Sequence, residues 1–306
     1  MDERSELIKV LKGETSHFGG RAWMLDQVGQ RCQALIETSS QPVRACGVSF
    51  GGPVDFKRQL VTSVHTPGWE KAPLAEWLCE RLRLPCRLDN DANCGALGEY
   101  RFGAGRSARS MIYVTLSTGI GSGIVIDGKV ERGRDSMAGE IGHLPLSDLD
   151  VACTCGGKGC LEALASGRAI ARQAREVAEL HPREAARLLG LSGGNAARIR
   201  ARDVFQAAAE GDGAAGALVR EATQWLARGL VMAIRLINPD RIILGGGMAE
   251  AGDTLLHPVR QQLNRWRSTS FPFSTEIVKA ELGDDSPLYG AASLARELLQ
   301  GNRQET

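Results

Sequence analysis

The chain has 306 residues, 43% hydrophobic and 24% charged, and its 37 Lys and Arg offset 36 Asp and Glu to a formal net charge of +1. This is globular composition, long enough for two domains that each bury a core, without the basic excess that nucleic-acid binding needs. No run of about 18 apolar residues supports a membrane span; the charged start MDERSELIKV lacks the apolar core of a signal peptide, and a cytoplasmic setting, where disulfides are rare, is the expectation.

Helix-like and strand-like segments alternate along the chain. RAWMLDQVGQRCQALIETS reads as an amphipathic helix, and VRACGVSF as a strand ending at the turn Gly51-Gly52-Pro53. APLAEWLCERLRL is a second helix, PCRLDND a short strand ending in polar residues, and ANCGALGEYRFG the start of a third helix. MIYVTLSTGIGSGIVIDGKVERG holds two strands around a glycine-rich turn, with Asp127-Gly128 closing a hairpin. From Cys160 to about Ile237 the chain is Ala-rich and helical, broken at LSGGN; DRIILGGG is a buried strand meeting a glycine turn, and helices near 253–268 and 287–300 complete the chain. Such alternation implies an α/β fold whose ligands sit at strand ends.

Three motifs carry chemistry. The turn Ser117-Thr118-Gly119-Ile120-Gly121-Ser122-Gly123 follows an apolar strand. Its glycines would let backbone N–H groups approach an anion, although a plain hairpin fits the same residues. Asp89-Asn90-Asp91-Ala92-Asn93 lies where a strand becomes a helix. One cap needs one Asp or Asn, and four of these five positions are Asp or Asn. A carboxylate flanked by amides there can accept a proton while its neighbours fix a polar ligand. Finally, His143 followed by Cys153, Cys155 and Cys160 supplies a complete tetrahedral set for Zn²⁺, and the closed set makes the metal structural. The other five cysteines, Cys32, Cys46, Cys79, Cys86 and Cys94, stand singly among apolar neighbours and read as free core thiols.

Together AGEIGH, CTCGGKGCLE, NDAN, LSTGIGSGI, INPDRIILGGGMAEAG and LYGAASLA resemble the ROK family of bacterial sugar kinases and sugar-responsive repressors. The resemblance implies the fold of actin, hexokinase and the Hsp70 ATPase: two α/β domains around a cleft. The corresponding division is a smaller domain over 1–97, a larger one with the zinc motif over 98–286, and a C-terminal helix over 287–306 packing back on the first. It also implies ATP-dependent phosphorylation of a hexose, glucokinase-like. Asp91 would be the catalytic base, with Gly52, Asn90, Glu140, His143 and Glu162 on the sugar. Thr118 and Gly119 would lie in a phosphate loop, and Gly245, Gly246 and Gly247 in the adenosine-side turn. Mg²⁺ with the ATP would supply positive charge, since no Lys or Arg motif adjoins these turns. A homodimer is implied as well.

Departures from the family pattern concern the start of the chain. The family's first strand carries Asp-x-Gly-Gly-Thr; here Gly19-Gly20 in HFGGRAW follows no apolar strand and lacks the Asp. MDERSELIKVLKG resembles the family segment located after that first hairpin, so on the order of 20 residues, two strands' worth, are expected to be absent. The small domain's sheet would then have an unpaired edge, and one phosphate loop alone would hold ATP weakly. Ser117 where Gly is common and Gly51 where Pro is common leave the chemistry unchanged. The alternative within the same resemblance is a non-catalytic sugar sensor without a DNA-binding domain, for which there is no room before Val43.

Overall fold

A computed structural model describes residues 1, 6–14, 16, 19–63 and 67–301, so parts of the stretch preceding the first helix, and 302–306 at the end, lie outside the described residues. The first part of the chain forms α1 (Gly20–Glu37), β1 (Cys46–Phe50), β2 (Val54–Asp55), β3 (Leu60–Val61), α2 (Leu74–Leu82), β4 (Cys86–Asn90) and α3 (Asp91–Phe102). A five-stranded sheet then begins with β5 (Ser110–Leu116), β6 (Ile120–Ile126) and β7 (Lys129–Glu131). Helices α4 (Leu161–Ala165), α5 (Gly167–Leu180), α6 (Ala186–Leu191), α7 (Ala201–Ala209) and α8 (Gly213–Ile237) come next. The chain closes with β8 (Arg241–Gly245), α9 (Asp253–Asn264), β9 (Glu276–Lys279) and α10 (Ser286–Gly301).

β1 and β4 pair in parallel from Cys46↔Cys86 to Phe50↔Asn90, with α2 in the connection between them. α2 buries Leu74, Ala75, Leu78 and Leu82, a helical stripe that packs with Leu88 and Trp69 into the core of this part. It ends where Arg83 turns into the left-handed region at φ 55°. Among the described residues β1 pairs with β4 alone.

The larger sheet runs β7-β6-β5-β8-β9. β5 is antiparallel to β6 and parallel to β8, and its Met111, Ile112, Tyr113, Val114 and Leu116 are all buried, so the near-continuous apolar run is that of a central strand. α8 is capped at its start by Asp212, which accepts from the Ala215 N–H at 2.8 Å, and ended by Asn238 in the left-handed region. β9, β2 and β3 have no clear sequence signal. β9 is four residues at the sheet edge, and β2 and β3 are two each, too short for alternation to show. None of the described helices is long and apolar enough to cross a membrane.

Two helices join the sheets. α10 packs along α3 and against β1, and α3 also lies on β5 and β6. The approach is backbone to backbone. A Cβ built on Gly290 would stand 1.8 Å from the Cys94 carbonyl oxygen, and one on Gly98 would stand 2.1 Å from that of Ser286. Glu99, fully buried in the middle of α3, fastens the crossing. Its carboxylate accepts from the N–H groups of Ala104, Glu281 and Leu282 and from the Ser286 hydroxyl at 2.7–3.1 Å.

Gly290→Ala should therefore force α3 and α10 apart, at a cost of about 1–3 kcal/mol, the usual range for overpacking. The check is a thermal melt beside the parent protein, and coincident melts would contradict the backbone contact.

Candidate active site and metal centre

The Asp/Asn run at the β4–α3 junction divides its labour. Asp89, 2% exposed, is neutralised by Arg132, whose guanidinium lies 2.7 Å away and stacks 3.6 Å above the Phe56 ring. Its second oxygen accepts from the Asn90 N–H and the Asn93 side-chain amide at 2.8 and 3.0 Å. Asn90 is the N-cap of α3: its oxygen accepts from the N–H groups of Ala92 and Asn93, and its amide donates to the Gly52 carbonyl at 3.0 Å. That fixes the Gly51-Gly52 loop over the junction, with Gly51 beside the Asp91 carboxylate. Asp91, the first residue of α3, has no cationic partner among the described residues. Burial pushes its carboxyl above the ordinary carboxylate value, opposed by hydrogen bonds from the Ala92 N–H, its own N–H and Asn90. So one carboxylate of the run is structural and paired, and the next is desolvated and unpaired.

The glycine string explains why that junction sits where it does. Gly121 and Gly123 on β6 face Ala92 in the first turn of α3; a Cβ on Gly123 would stand 2.5 Å from the Ala92 carbonyl oxygen. Gly119 instead makes room for Glu162, whose carboxylate accepts from the Ile120 N–H at 3.0 Å and from the Thr154 hydroxyl at 2.8 Å. Glu140 completes the group. Partial burial raises its carboxyl, the His143 ring opposes the rise, and the charges of Asp91 and Glu162 add to it. The structure thus brings Gly52, Asn90, Asp91, Glu140, His143 and Glu162 together from four separate segments.

His143, Cys153, Cys155 and Cys160 form the metal centre, with their ligand atoms all within 4.8 Å of one another. The Cys155 and Cys160 sulfurs are 3.7 Å apart, and His143 Nδ1 is 3.6 Å from the Cys153 sulfur. A tetrahedron with about 2.3 Å metal–sulfur and about 2.05 Å metal–nitrogen bonds has edges of about 3.8 and 3.6 Å, so the donors fit Zn²⁺. Gly156 and Gly159, at φ 87° and 65°, make the reversal between Cys155 and Cys160. With Nδ1 turned to the sulfurs, His143 Nε2 faces Glu140 at 3.9 Å. Thr154, between two cysteines, holds Glu162. Glu140 and Glu162 are therefore both tied to the metal-centre loop.

On the other side of the glycine turn lies a cleft of about 770 Å³ lined by Ser117, Thr118, Phe205 and Gly247. Gly245 and Gly246 precede it, pressed against Tyr113 and the Leu116 backbone of β5, so Gly247 is the member of that turn on the cleft wall. The absence of basic groups inferred from the sequence is corrected here: Arg168, Arg175, Arg200 and Arg202 all line the cleft. They come from α5, α7 and the segment before α7, remote in sequence from the glycine turns. Arg175 is spent on the Ile199 carbonyl, whereas the Arg168 side chain has no partner among the described residues. Arg132, likewise unseen in the sequence, carries no local signal because its partner is 43 residues away.

Two α/β sheets bridged by α3 and α10, with a carboxylate at the crossing, make this the actin/hexokinase-like fold. A model of the ROK family matches residues 2–298, and the chain belongs to that family. It is 37% identical to a glucokinase of Streptomyces coelicolor over 254 residues, 83% of this chain and 80% of that protein. It is 32% identical to a glucokinase of Thermotoga maritima over 302 residues, 98% of this chain and 94% of that one. The crystal structure of a ROK family glucokinase from Streptomyces griseus in complex with glucose and AMPPNP is similar throughout. Its TM-score is 0.85 at 36% identity, covering 97% of this chain and 94% of that chain.

Elemental analysis of purified protein should find about one zinc per chain, and Cys160→Ser should lose it and melt earlier. Metal-free protein with an unchanged melt would contradict a structural zinc.

Proposed function

We propose that the chain is an ATP-dependent hexose kinase with glucose as the leading substrate, in which Asp91 is the general base. The observation that carries this reading is the unpaired, desolvated Asp91 carboxylate, beside the Gly51-Gly52 loop and Glu140. The similarity to three glucokinases supports the substrate class.

In this reading Glu140, His143 and Glu162 accept from and donate to sugar hydroxyls. Asn90, already bound to Gly52 and to the α3 N-terminus, holds the loop and retains one amide N–H for the sugar. Asp91 takes the proton from the hydroxyl that attacks the γ-phosphate, and ADP leaves. Thr118 and the Gly119 turn, with Gly245, Gly246 and Gly247 opposite, cradle the nucleotide, and Arg168 contributes charge. Mg²⁺ on the phosphates would neutralise charge as it moves to the leaving group. Zinc acts through the protein, by fixing the segment that carries His143 and by presenting Thr154 to Glu162. A cytoplasmic homodimer is part of the same proposal; light scattering tests the dimer.

Asp91→Asn keeps size and polarity but cannot take the proton. In a coupled ADP-release assay with glucose and other hexoses, kcat should fall by at least ~10²-fold with little change in the sugar KM. Burial raises the carboxyl's pKa in the folded state, so protonation favours folding and that contribution is lost as pH rises through the raised value. Near neutral pH the Asn variant should consequently melt no lower than the parent. Near-normal turnover would remove Asp91 from the mechanism, and sugar binding without turnover in the parent would support the sensor.

A further inference from the structure

The five remaining cysteines are free, as the sequence implies, but four of them are grouped rather than isolated. Cys46 and Cys86 are register partners on the parallel pair β1–β4, so both side chains leave the sheet on one face. Adjacent strands stand about 4.8 Å apart, within the roughly 4.4–6.8 Å that a disulfide spans between Cα atoms. In the reduced state the Cys46 thiol is directed at the Gly47 carbonyl at 3.9 Å and the Cys86 thiol at the Leu84 carbonyl at 3.3 Å. Cys79 lies on α2, which packs on β4, and Cys32 on α1 packs against the same apolar cluster as Cys46 and Cys86. All four are part-exposed. Cys94 differs: it is buried on α3, its thiol directed at the carbonyls of Val48 and Asp89.

We propose that Cys46 and Cys86 form a reversible oxidation site that closes into a disulfide on exposure to a peroxide. The Cys46 thiolate attacks one peroxide oxygen and the O–O bond breaks. Cys46 becomes a sulfenic acid, and the other oxygen leaves as water with the thiol proton. The Cys86 sulfur then attacks the sulfenic sulfur; the S–O bond breaks and its oxygen leaves as a second water with the Cys86 proton. Two thiols and one hydrogen peroxide give one disulfide and two waters, and two electrons pass from sulfur to peroxide. A dithiol reductant reverses the bond by exchange. Cys46 is written as the attacker because the neighbouring Cys86 side chain lowers its thiol below the ordinary value; the register pairing that brings the two sulfurs together serves either order of attack. Burial pushes the Cys32 thiol up to about 11, so it stays protonated. The bond would pin the two strands that lead to the Gly51-Gly52 loop and to Asp91.

The test uses the full-length, zinc-loaded protein and does not depend on kinase activity. Protein is treated with hydrogen peroxide, blocked with N-ethylmaleimide, digested without reduction and mapped by mass spectrometry. A linked Cys46–Cys86 peptide pair should appear and vanish on reduction, while Cys94 is alkylated only after unfolding. Cys46→Ser and Cys86→Ser should each abolish that species, and Cys79→Ser should leave it. A dominant Cys79–Cys86 link, oxidation confined to Cys153, Cys155 and Cys160, or a map unchanged by Cys46→Ser would overturn the proposal.

Discussion

A carboxylate kept out of water without a cation beside it is the constraint on which the rest of the structure depends. Left alone, such a group lowers its cost by protonating, pairing or turning to solvent. At the β4–α3 junction pairing and retreat to solvent are both blocked, and burial instead shifts the carboxyl toward its protonated form. Arg132, the nearby guanidinium, is committed to Asp89 and stacked on Phe56. The Gly51-Gly52 loop is held over the junction by Asn90. α3 cannot retreat, because its first turn rests on the glycines of β6 and its middle is fastened by Glu99 to the start of α10.

The zinc loop solves a second positioning problem. Glu140 and Glu162 are separated by 21 intervening residues, including a run of loop that no sheet or long helix holds. A ligand set that draws His143 to Cys160 sets the distance between those carboxylates directly. The orientation of the imidazole does the rest: one ring nitrogen faces the sulfurs and the other faces Glu140. A structural metal here is worth more than its stabilisation, since a loose segment would place two polar groups poorly at once.

The features readable in the sequence are those set by local chemistry. The zinc ligands, the capped strand–helix junction and the buried strands β5 and β8 announce themselves because spacing or periodicity suffices. The glycine string was readable as a turn but not in its division of labour, since its glycines answer to Ala92 and Glu162, which are distant in the chain. The same limit hid the choice between Asp89 and Asp91 as the paired residue, the arginines of the cleft and the grouping of four thiols around β1 and β4. Each depends on elements meeting in space, and Arg132, Arg168 and Cys46 look ordinary until α3, α5 and β4 are placed.

The most direct test is the pH dependence of the phosphoryl-transfer step itself, measured by rapid quench under single-turnover conditions with saturating sugar and MgATP. A base must be ionised to act, so the rate should rise with pH and level off. Because burial raises the Asp91 carboxyl, the midpoint should lie above the ordinary aspartate value of about 3.9. The rising limb should be lost in the residual activity of Asp91→Asn. A transfer rate independent of pH across that range, or a limb that survives the substitution, would contradict the account.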